Sequence, residues 1–166
     1  MTTTVSIRII DVKLDTPTAR ELIGELNVEL ARQYPEEGAN HFRLDPDEVA
    51  PGKGAFLVAE DTESGRALGC GAIRVLTPDT AELKRMYVRP VARGRGVGST
   101  LLRALEERAV ALGVERLVLE TGTRQVPALG LYYGAGYAEI ERFGEYADSP
   151  LSMCLAKPLV PAGVTG

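Results

Sequence analysis

A glycine-rich loop joins a strand-like segment to an amphipathic helix in the middle of this 166-residue chain. The loop covers residues 93–98 and reads RGRGVG. Glycine permits backbone conformations that other residues avoid, and the free N–H groups at a helix start favour phosphate oxygens. A tight strand-to-helix turn without a ligand also uses glycine, so the loop alone predicts either a phosphate site or a plain turn.

The segments around this loop predict a mixed α/β sheet, because strands and helices alternate along much of the chain. The helix after the loop has one apolar face, and Gly113 suits the left-handed residue that ends it. Thr16 is the expected N-cap of a first helix, with Pro17 at its first position. Strands are predicted over residues 5–10, 56–59, 68–75, 81–88, 117–119, 137–140 and 151–155, and helices over 17–34, 98–112 and 126–135, with a short one at 45–48.

Length and composition predict one domain over residues 1–157, followed by a flexible tail over 158–166. The net charge of −4 argues against general nucleic-acid or anionic-membrane binding. Residues 1–13 lack the features of a signal peptide, so a cytoplasmic protein is expected. Cys70 and Cys154 are expected to be buried small hydrophobes, and a single histidine without a close cysteine pair argues against a zinc site.

The charges are unevenly distributed around the loop. Residues 83–105 contain six basic residues and no acidic one. Arginines beside free backbone N–H groups add charge-assisted hydrogen bonds to a phosphate. This stretch therefore favours the phosphate interpretation of the loop.

The spacing of the glycines excludes two common nucleotide motifs. A dinucleotide-binding fingerprint needs a glycine where Ser99 stands, and the Gly-Lys-Ser/Thr of a P-loop is absent. The sequence instead contains Arg-x-x-Gly-x-Gly, formed by Arg93, Gly96 and Gly98, directly after the strand-like segment ELKRMYVRP. This combination resembles the GCN5-related N-acetyltransferase (GNAT) superfamily, whose Gln/Arg-x-x-Gly-x-Gly/Ala loop wraps the pyrophosphate of acetyl-CoA.

A second segment supports the resemblance, which extends from about Phe56 to Leu155. Residues 128–137, ALGLYYGAGY, are similar to the family pattern Ala-x-x-Leu-Tyr-x-x-x-Gly-Phe/Tyr. The resemblance implies a single-domain, mostly antiparallel sheet of about seven strands flanked by helices. It also implies direct transfer of the acetyl group from acetyl-CoA to a primary amine in a ternary complex, without a metal.

The resemblance implies a binding role for two groups of residues. The strand before the loop, often bulged in the family, is expected to hold the pantetheine amide and the thioester carbonyl through its backbone. The loop and helix start are expected to hold the pyrophosphate, and Gln125 stands where the family often has an asparagine that bonds the pantetheine. The cofactor-binding residues predicted in this way are Met86, Tyr87, Val88, Arg93, Gly94, Arg95, Gly96, Val97, Gly98, Ser99 and Gln125.

Three residues are candidates for proton transfer. Tyr132 occupies the family position of the general acid that protonates the departing thiolate, although taken alone it would be a core tyrosine. Glu82, eleven residues before Arg93, and Glu120, five before Gln125, occupy the base positions of two branches of the family. Glu82 is slightly favoured, and both are expected on neighbouring strands that separate around the cofactor.

The acceptor site is expected in the least standardised parts of the chain. Acidic residues there either form a solvated surface or steer a cationic amine; they are Glu36, Glu37, Asp45, Asp47, Glu48, Glu139, Glu141, Glu145 and Asp148. His41 receives no role, and residues 143–146 form a packed loop or an aromatic wall. Several functional alternatives stay open: an acceptor amine on a protein N-terminus or lysine, a longer acyl group on the donor, and an acyl-CoA sensor without activity. A monomer and a homodimer both stay open as oligomeric states.

Overall fold

The computed structural model describes residues 6–35 and 45–159. Over these residues the chain forms seven strands and three α-helices, as the alternating patterns predict. The strands are β1 (Ile7–Asp11), β2 (Gly54–Asp61), β3 (Ala67–Thr77), β4 (Thr80–Val88), β5 (Arg116–Gly122), β6 (Ala138–Ile140) and β7 (Ser152–Pro158). The helices are α1 (Pro17–Gln33), α2 (Val97–Ala111) and α3 (Val126–Gly134).

The strands form one sheet in the order β1-β2-β3-β4-β5-β7-β6. Five neighbouring pairs are antiparallel, and only β4 and β5 run parallel. Their pairing ends at Leu83 and Leu119, although β4 continues to Val88 and β5 to Gly122. The mixed, mostly antiparallel sheet is confirmed, and it opens into a fork between the ends of β4 and β5.

Separate apolar cores cover the two faces of the sheet. On one face α2 packs Leu101 and Leu105 against strand residues such as Ile73 and Leu83, and residues of α3 join this cluster. On the other face Leu22 and Leu26 of α1 pack against Phe56 and Val58 of β2, among others. The alternation of side chains along the strands therefore separates an α2/α3 face from an α1 face.

The helix boundaries follow the local signals in the sequence. Thr16 Oγ1 accepts a hydrogen bond from the N–H of Ala19 at 3.4 Å, and Pro17 occupies the first turn. Gly113 has a φ of +86°, as expected for the left-handed residue after α2. The short helix predicted at residues 45–48 is a 3-10 turn, Pro46–Val49.

The end of the described chain corrects one expected boundary. Strand β7 reaches Pro158, and Leu159 is buried while its N–H donates to Glu115 O at 2.8 Å. These two residues therefore belong to the fold, and the remainder of the expected tail lies outside the described residues. Cys70 and Cys154 are buried and free, as predicted. No helix within the described residues is long and apolar enough to span a membrane.

Candidate active site

A β-bulge interrupts β4 where it leaves β5. Cys70 of β3 faces Tyr87 whereas Ala72 faces Lys84, so β4 carries one more residue than β3 between these pairs. Arg85 lies at this position with a φ of +57°, in the left-handed region that residues other than glycine rarely adopt. A bulge re-aims the side chains beside it. Accordingly three consecutive residues, Lys84, Arg85 and Met86, all line the same cavity.

The backbone of β4 beyond the bulge faces the fork. The N–H of Arg89 donates to Leu68 O of β3 at 2.8 Å. Hydrogen-bonded and non-hydrogen-bonded pairs alternate along an antiparallel ladder, so the N–H of Val88 points away from β3. The Val88 carbonyl accepts from Arg93 Nε at 2.9 Å. Tyr87 instead turns its ring to the α1 face, where its hydroxyl donates to Glu25 Oε1 at 3.2 Å.

The glycine-rich loop places free N–H groups at the start of α2. Gly94 and Gly96 have φ angles of +79° and +80°, and both are exposed. The first helical hydrogen bond from this end is donated by Thr100 N–H to Gly96 O, which leaves the N–H groups of Val97, Gly98 and Ser99 without a helical partner. No acidic residue occupies this first turn. The helix start can therefore hold an anion.

Gly98 has a separate role in bringing α2 and α3 together. A Cβ atom at Gly98 would lie 3.2 Å from Leu131 Cδ2 of α3. Any larger side chain would push the two helices apart. Gly98 therefore serves helix packing as well as the open helix start.

The basic stretch does not act as one phosphate-binding patch. Arg89 Nη2 lies 2.8 Å from Glu21 Oε1 and 2.9 Å from Glu25 Oε2, and Arg93 Nη2 lies 2.6 Å from Glu29 Oε1. These three carboxylates, which we call the α1 glutamate row, stand four residues apart on α1. Of the remaining bases, Arg95 and Arg103 form no salt bridge within the described residues. The four-residue spacing of these glutamates, which places them on one face of a helix, was the signal in the sequence for this row. This signal was not recognised in the sequence.

A cavity of about 150 Å³ passes through the fork between β4 and β5. Its wall includes residues from the α2/α3 core, such as Leu83 and Met86, and residues packed on the α1 face, such as Leu26 and Leu30. The remaining lining residues are Ala31, Tyr34, Lys84, Arg85, Glu120, Thr121, Gly122, Gln125, Ala128, Tyr132, Tyr146, Leu151 and Ser152. The cavity thus connects the two faces of the sheet.

Tyr132 lies on this cavity at the α3 side. Its side chain is buried, and its ring packs edge-to-face on Tyr137 with centroids 5.8 Å apart. Burial, and secondarily the nearby charge of Glu120, raises the pKa of Tyr132. Within the described part of the chain its hydroxyl makes no hydrogen bond. Tyr133 is 48% exposed, so only the first tyrosine of the pair is available to the cavity.

Glu82 lies beneath the cavity and does not line it. Only 1% of its surface is exposed. Arg74 Nε and Nη2 approach Glu82 Oε1 at 2.9 and 2.8 Å, and the Tyr146 hydroxyl donates to Glu82 Oε2 at 2.6 Å. Arg74 also pairs with Glu48. Both oxygens of Glu82 are therefore engaged in a buried network, whereas its sequence position suggested a base that faces the acceptor amine.

Glu120 is the one of the two candidate glutamates that lines the cavity. It is partly exposed, and Ser152 Oγ donates to its Oε2 at 2.6 Å. Since β4 and β5 are neighbours that separate beyond Leu83 and Leu119, the strand arrangement expected for the two glutamates is present. The fork between β4 and β5 therefore places the Glu120 carboxylate in the opening and the Glu82 carboxylate below it.

Gln125 closes the end of β5. Its Oε1 accepts from Thr121 Oγ1 at 3.0 Å and from the N–H of Gly122 at 2.9 Å. The side-chain amide nitrogen makes no hydrogen bond within the described residues, and Gln125 lines the cavity. The side chain of Gln125 is longer than that of asparagine, and its Oε1 uses this length to hold the β5–α3 turn. The side-chain N–H groups of Gln125 stay available as donors.

The acidic residues expected at the acceptor site do not line the cavity within the described chain. Asp47 pairs with Lys53 at 3.1 Å, Glu48 with Arg74, and Glu145 with Lys84 at 3.4 Å. Instead Tyr146, which is 2% exposed, contributes an aromatic wall. Glu36, Glu37 and His41 lie outside the described residues. No cluster of three His, Cys, Asp or Glu side chains suited to a metal occurs within the described residues.

Comparisons with known proteins agree with this arrangement. The profile of the acetyltransferase (GNAT) family matches residues 20–137. The chain is 43% identical over 140 residues to the IAA acetyltransferase of Azospirillum brasilense, a match that covers 84% of this chain and 89% of that protein.

Solved structures share the fold. A Klebsiella pneumoniae protein described as an acyl-CoA N-acyltransferase superposes with a TM-score of 0.77 at 31% identity, covering 93% of this chain and 98% of that one. A GNAT family acetyltransferase from Elizabethkingia anophelis with acetyl-CoA bound superposes with a TM-score of 0.65 at 20% identity, covering 92% and 98%. The family resemblance is confirmed: the chain belongs to the acetyltransferase (GNAT) family and is an acyltransferase.

Proposed function

We propose that this protein transfers the acetyl group of acetyl-CoA to a primary amine, which attacks the thioester directly in a ternary complex. The observation that carries this proposal is the cavity through the fork, since it connects the α2/α3 face with the α1 face. A donor bound along β4 and α2 and an acceptor bound against α1 would meet there. Tyr132 and Glu120 both line this meeting point.

The donor end is suited to acetyl-CoA. The free N–H groups of Val97, Gly98 and Ser99 and the exposed Arg95 offer donors for the pyrophosphate. Beyond the end of the β4–β5 pairing, the backbone of β4 at Met86 and the Val88 N–H offer groups for the pantetheine and the thioester carbonyl. A donor preorganised toward the oxygen on which negative charge develops lowers the barrier by roughly 3–4 kcal/mol. The related GNAT structure with acetyl-CoA bound supports this choice of donor.

The acceptor nitrogen loses two protons and the sulfur gains one, and we assign Glu120 to the first loss and Tyr132 to the gain. Glu120, directly or through water, accepts a proton from the acceptor ammonium, which frees the lone pair that forms the N–C bond. Tyr132 donates its phenolic proton to the sulfur as the C–S bond breaks. The second proton leaves the nitrogen as the tetrahedral intermediate collapses and passes to the Tyr132 phenolate, directly or through water. The raised pKa of Tyr132 keeps this proton in place before the reaction. Glu82 holds Tyr146 in the wall and takes no proton from substrate.

The acid assignment is tested with Tyr132→Phe against Tyr133→Phe. Thiol release from acetyl-CoA with a panel of amines should fall about 100-fold or more in kcat for Tyr132→Phe, with acetyl-CoA affinity unchanged. Tyr133→Phe should behave as the parent protein because its ring is largely exposed. Since burial raises the pKa of Tyr132, its ionisation should not lower kcat below pH 10. Full activity of Tyr132→Phe would contradict the assignment.

The base assignment is tested with Glu120→Gln against Glu82→Gln. Glu120→Gln should remove the acidic limb of the pH profile of kcat/KM, while Glu82→Gln should lower stability and keep the shape of that profile. The reverse result would restore Glu82 as the base. Tight acetyl-CoA binding without thiol release for any amine would favour an acyl-CoA sensor, and release only with protein N-termini or lysines would favour a protein acceptor.

A further inference from the structure

The bulge in β4 places two adjacent cationic side chains in the acceptor part of the cavity. In a regular strand Lys84 and Arg85 would point to opposite faces of the sheet. Here both line the cavity, and the extra residue that makes this possible is Arg85, with its φ of +57°. A left-handed backbone is unfavourable for an arginine, and the fold retains it at this point.

Burial disfavours the charges of these two cations, whereas the Glu145 carboxylate favours both of them and the Glu82 carboxylate favours that of Lys84. Lys84 is 6% exposed, and burial lowers the pKa of both Lys84 and Arg85. Lys84 Nζ has Glu145 Oε1 at 3.4 Å, and Arg85 Nη1 has the neutral Asn27 Oδ1 at 3.5 Å. The only carboxylate among the described lining residues is Glu120, which we have assigned to the amine. An anionic group on the acceptor would complement this wall.

Another part of the cavity wall is apolar and aromatic. Leu26, Leu30 and Ala31 of α1 line it, together with Tyr34 at the end of the helix and Tyr146. These side chains provide contacts for a hydrocarbon or aromatic body and no charge. The three parts of the cavity therefore differ: a carboxylate, a cationic wall and an apolar wall.

We propose that the acceptor is an amine that also carries a carboxylate and an apolar body, with Arg85 as the residue that recognises the carboxylate. This inference rests on the proposed acetyl transfer and specifies its substrate class. The amine would lie toward Glu120 and the apolar body against α1. Arg85 is thus a specificity-determining residue, and it takes no part in the bond changes.

The test uses pairs of amines that differ only in the carboxylate: L-phenylalanine with phenethylamine, and L-leucine with 3-methylbutylamine. We expect Arg85→Gln to lower the kcat/KM ratio of acid to neutral amine roughly 10-fold or more, since a hydrogen-bonded charge pair is lost. Comparing the ratio between variant and parent cancels the different basicities of the amines. Arg20→Gln, an exposed site on α1 with the same charge change, should leave the ratio unchanged.

The outcomes separate this inference from the proposed function. If the neutral amines are acetylated as well as the acids, and Arg85→Gln leaves the ratio unchanged, the carboxylate inference is overturned while acetyl transfer stands. An unchanged melting temperature and unchanged acetyl-CoA affinity of Arg85→Gln, compared with Arg20→Gln, show that the variant folds. Arg85→Lys should restore part of the preference, because the charge is kept while the paired N–H donors are lost.

Discussion

The proposed donor end, formed by the glycine-rich loop and the start of α2, and the proposed acceptor end, formed by the cavity, are built from different parts of the molecule. At the donor end, the loop and the start of α2 offer backbone N–H groups from one short segment, exposed to solvent and arranged by Gly94 and Gly96. At the acceptor end, side chains from α1, β4, β5 and the segment before β7 meet around a buried network of charges. The donor end depends on local backbone geometry, whereas the acceptor end depends on contacts between distant segments.

The same kind of ion pair should therefore contribute differently at the two ends. Arg93 and Glu29 keep 45% and 29% of their side chains exposed, so water competes with their pairing. Arg74 and Glu82 keep 17% and 1%. Solvent screens the first pair and is excluded from the second, and this difference can be measured directly.

The largest expected effect is on stability at the acceptor end. Arg74→Met should lower the free energy of unfolding by about 3–5 kcal/mol, because it leaves Glu82 buried without its cation. Arg93→Met, the same substitution at the donor end, should lower it by no more than about 1 kcal/mol. Urea unfolding of both variants measures the difference. Equal losses in the free energy of unfolding would show that burial does not change the contribution of these ion pairs.

A second effect concerns the backbone of the loop. Gly96→Ala should lower the free energy of unfolding by about 1–2 kcal/mol, since a Cβ disfavours the left-handed conformation although there is space around it. Gly130→Ala in α3, where a Cβ also meets nothing within 4 Å and φ is not positive, is the matched control. It should raise stability by about 0.5–1 kcal/mol. A stability gain for both variants would contradict a strained loop.

The smallest effect concerns the charge of the loop. Arg95→Gln should weaken acetyl-CoA binding about fivefold, or about 1 kcal/mol, because one charge-assisted contact to phosphate is lost. The loss should shrink as salt rises. Arg116→Gln, at the opposite end of the β4–β5 pair, should leave the affinity unchanged. Isothermal titration with acetyl-CoA measures both, and equal weakening would show only an effect of net charge.

This contrast also explains how much the sequence could predict. The start of α2 and the succession of strands and helices follow from glycine positions and short-range patterns, while the family resemblance implied the mostly antiparallel sheet, and these predictions are confirmed. The α1 glutamate row and the contact of Glu82 with Tyr146 were missed because the partners lie far apart in sequence, at 64 residues for Arg93 and Glu29 and also for Glu82 and Tyr146. A buried glutamate and a solvated one look alike in the sequence of a strand, so our proposal of Glu120 as the base relies on the lining of the cavity.

The position of the α1 glutamate row restricts how the acceptor specificity can be changed. Glu25 and Glu29 attach α1 to Arg89 and Arg93, beside the loop, while Leu26 and Leu30 of the same helix line the acceptor cavity. If the two ends bind as proposed, neighbouring residues of α1 border different substrates. Redesign of the pocket for a larger amine should change side chains at the lining positions and keep the glutamates, since shifting or rebuilding the whole helix would also disturb acetyl-CoA binding.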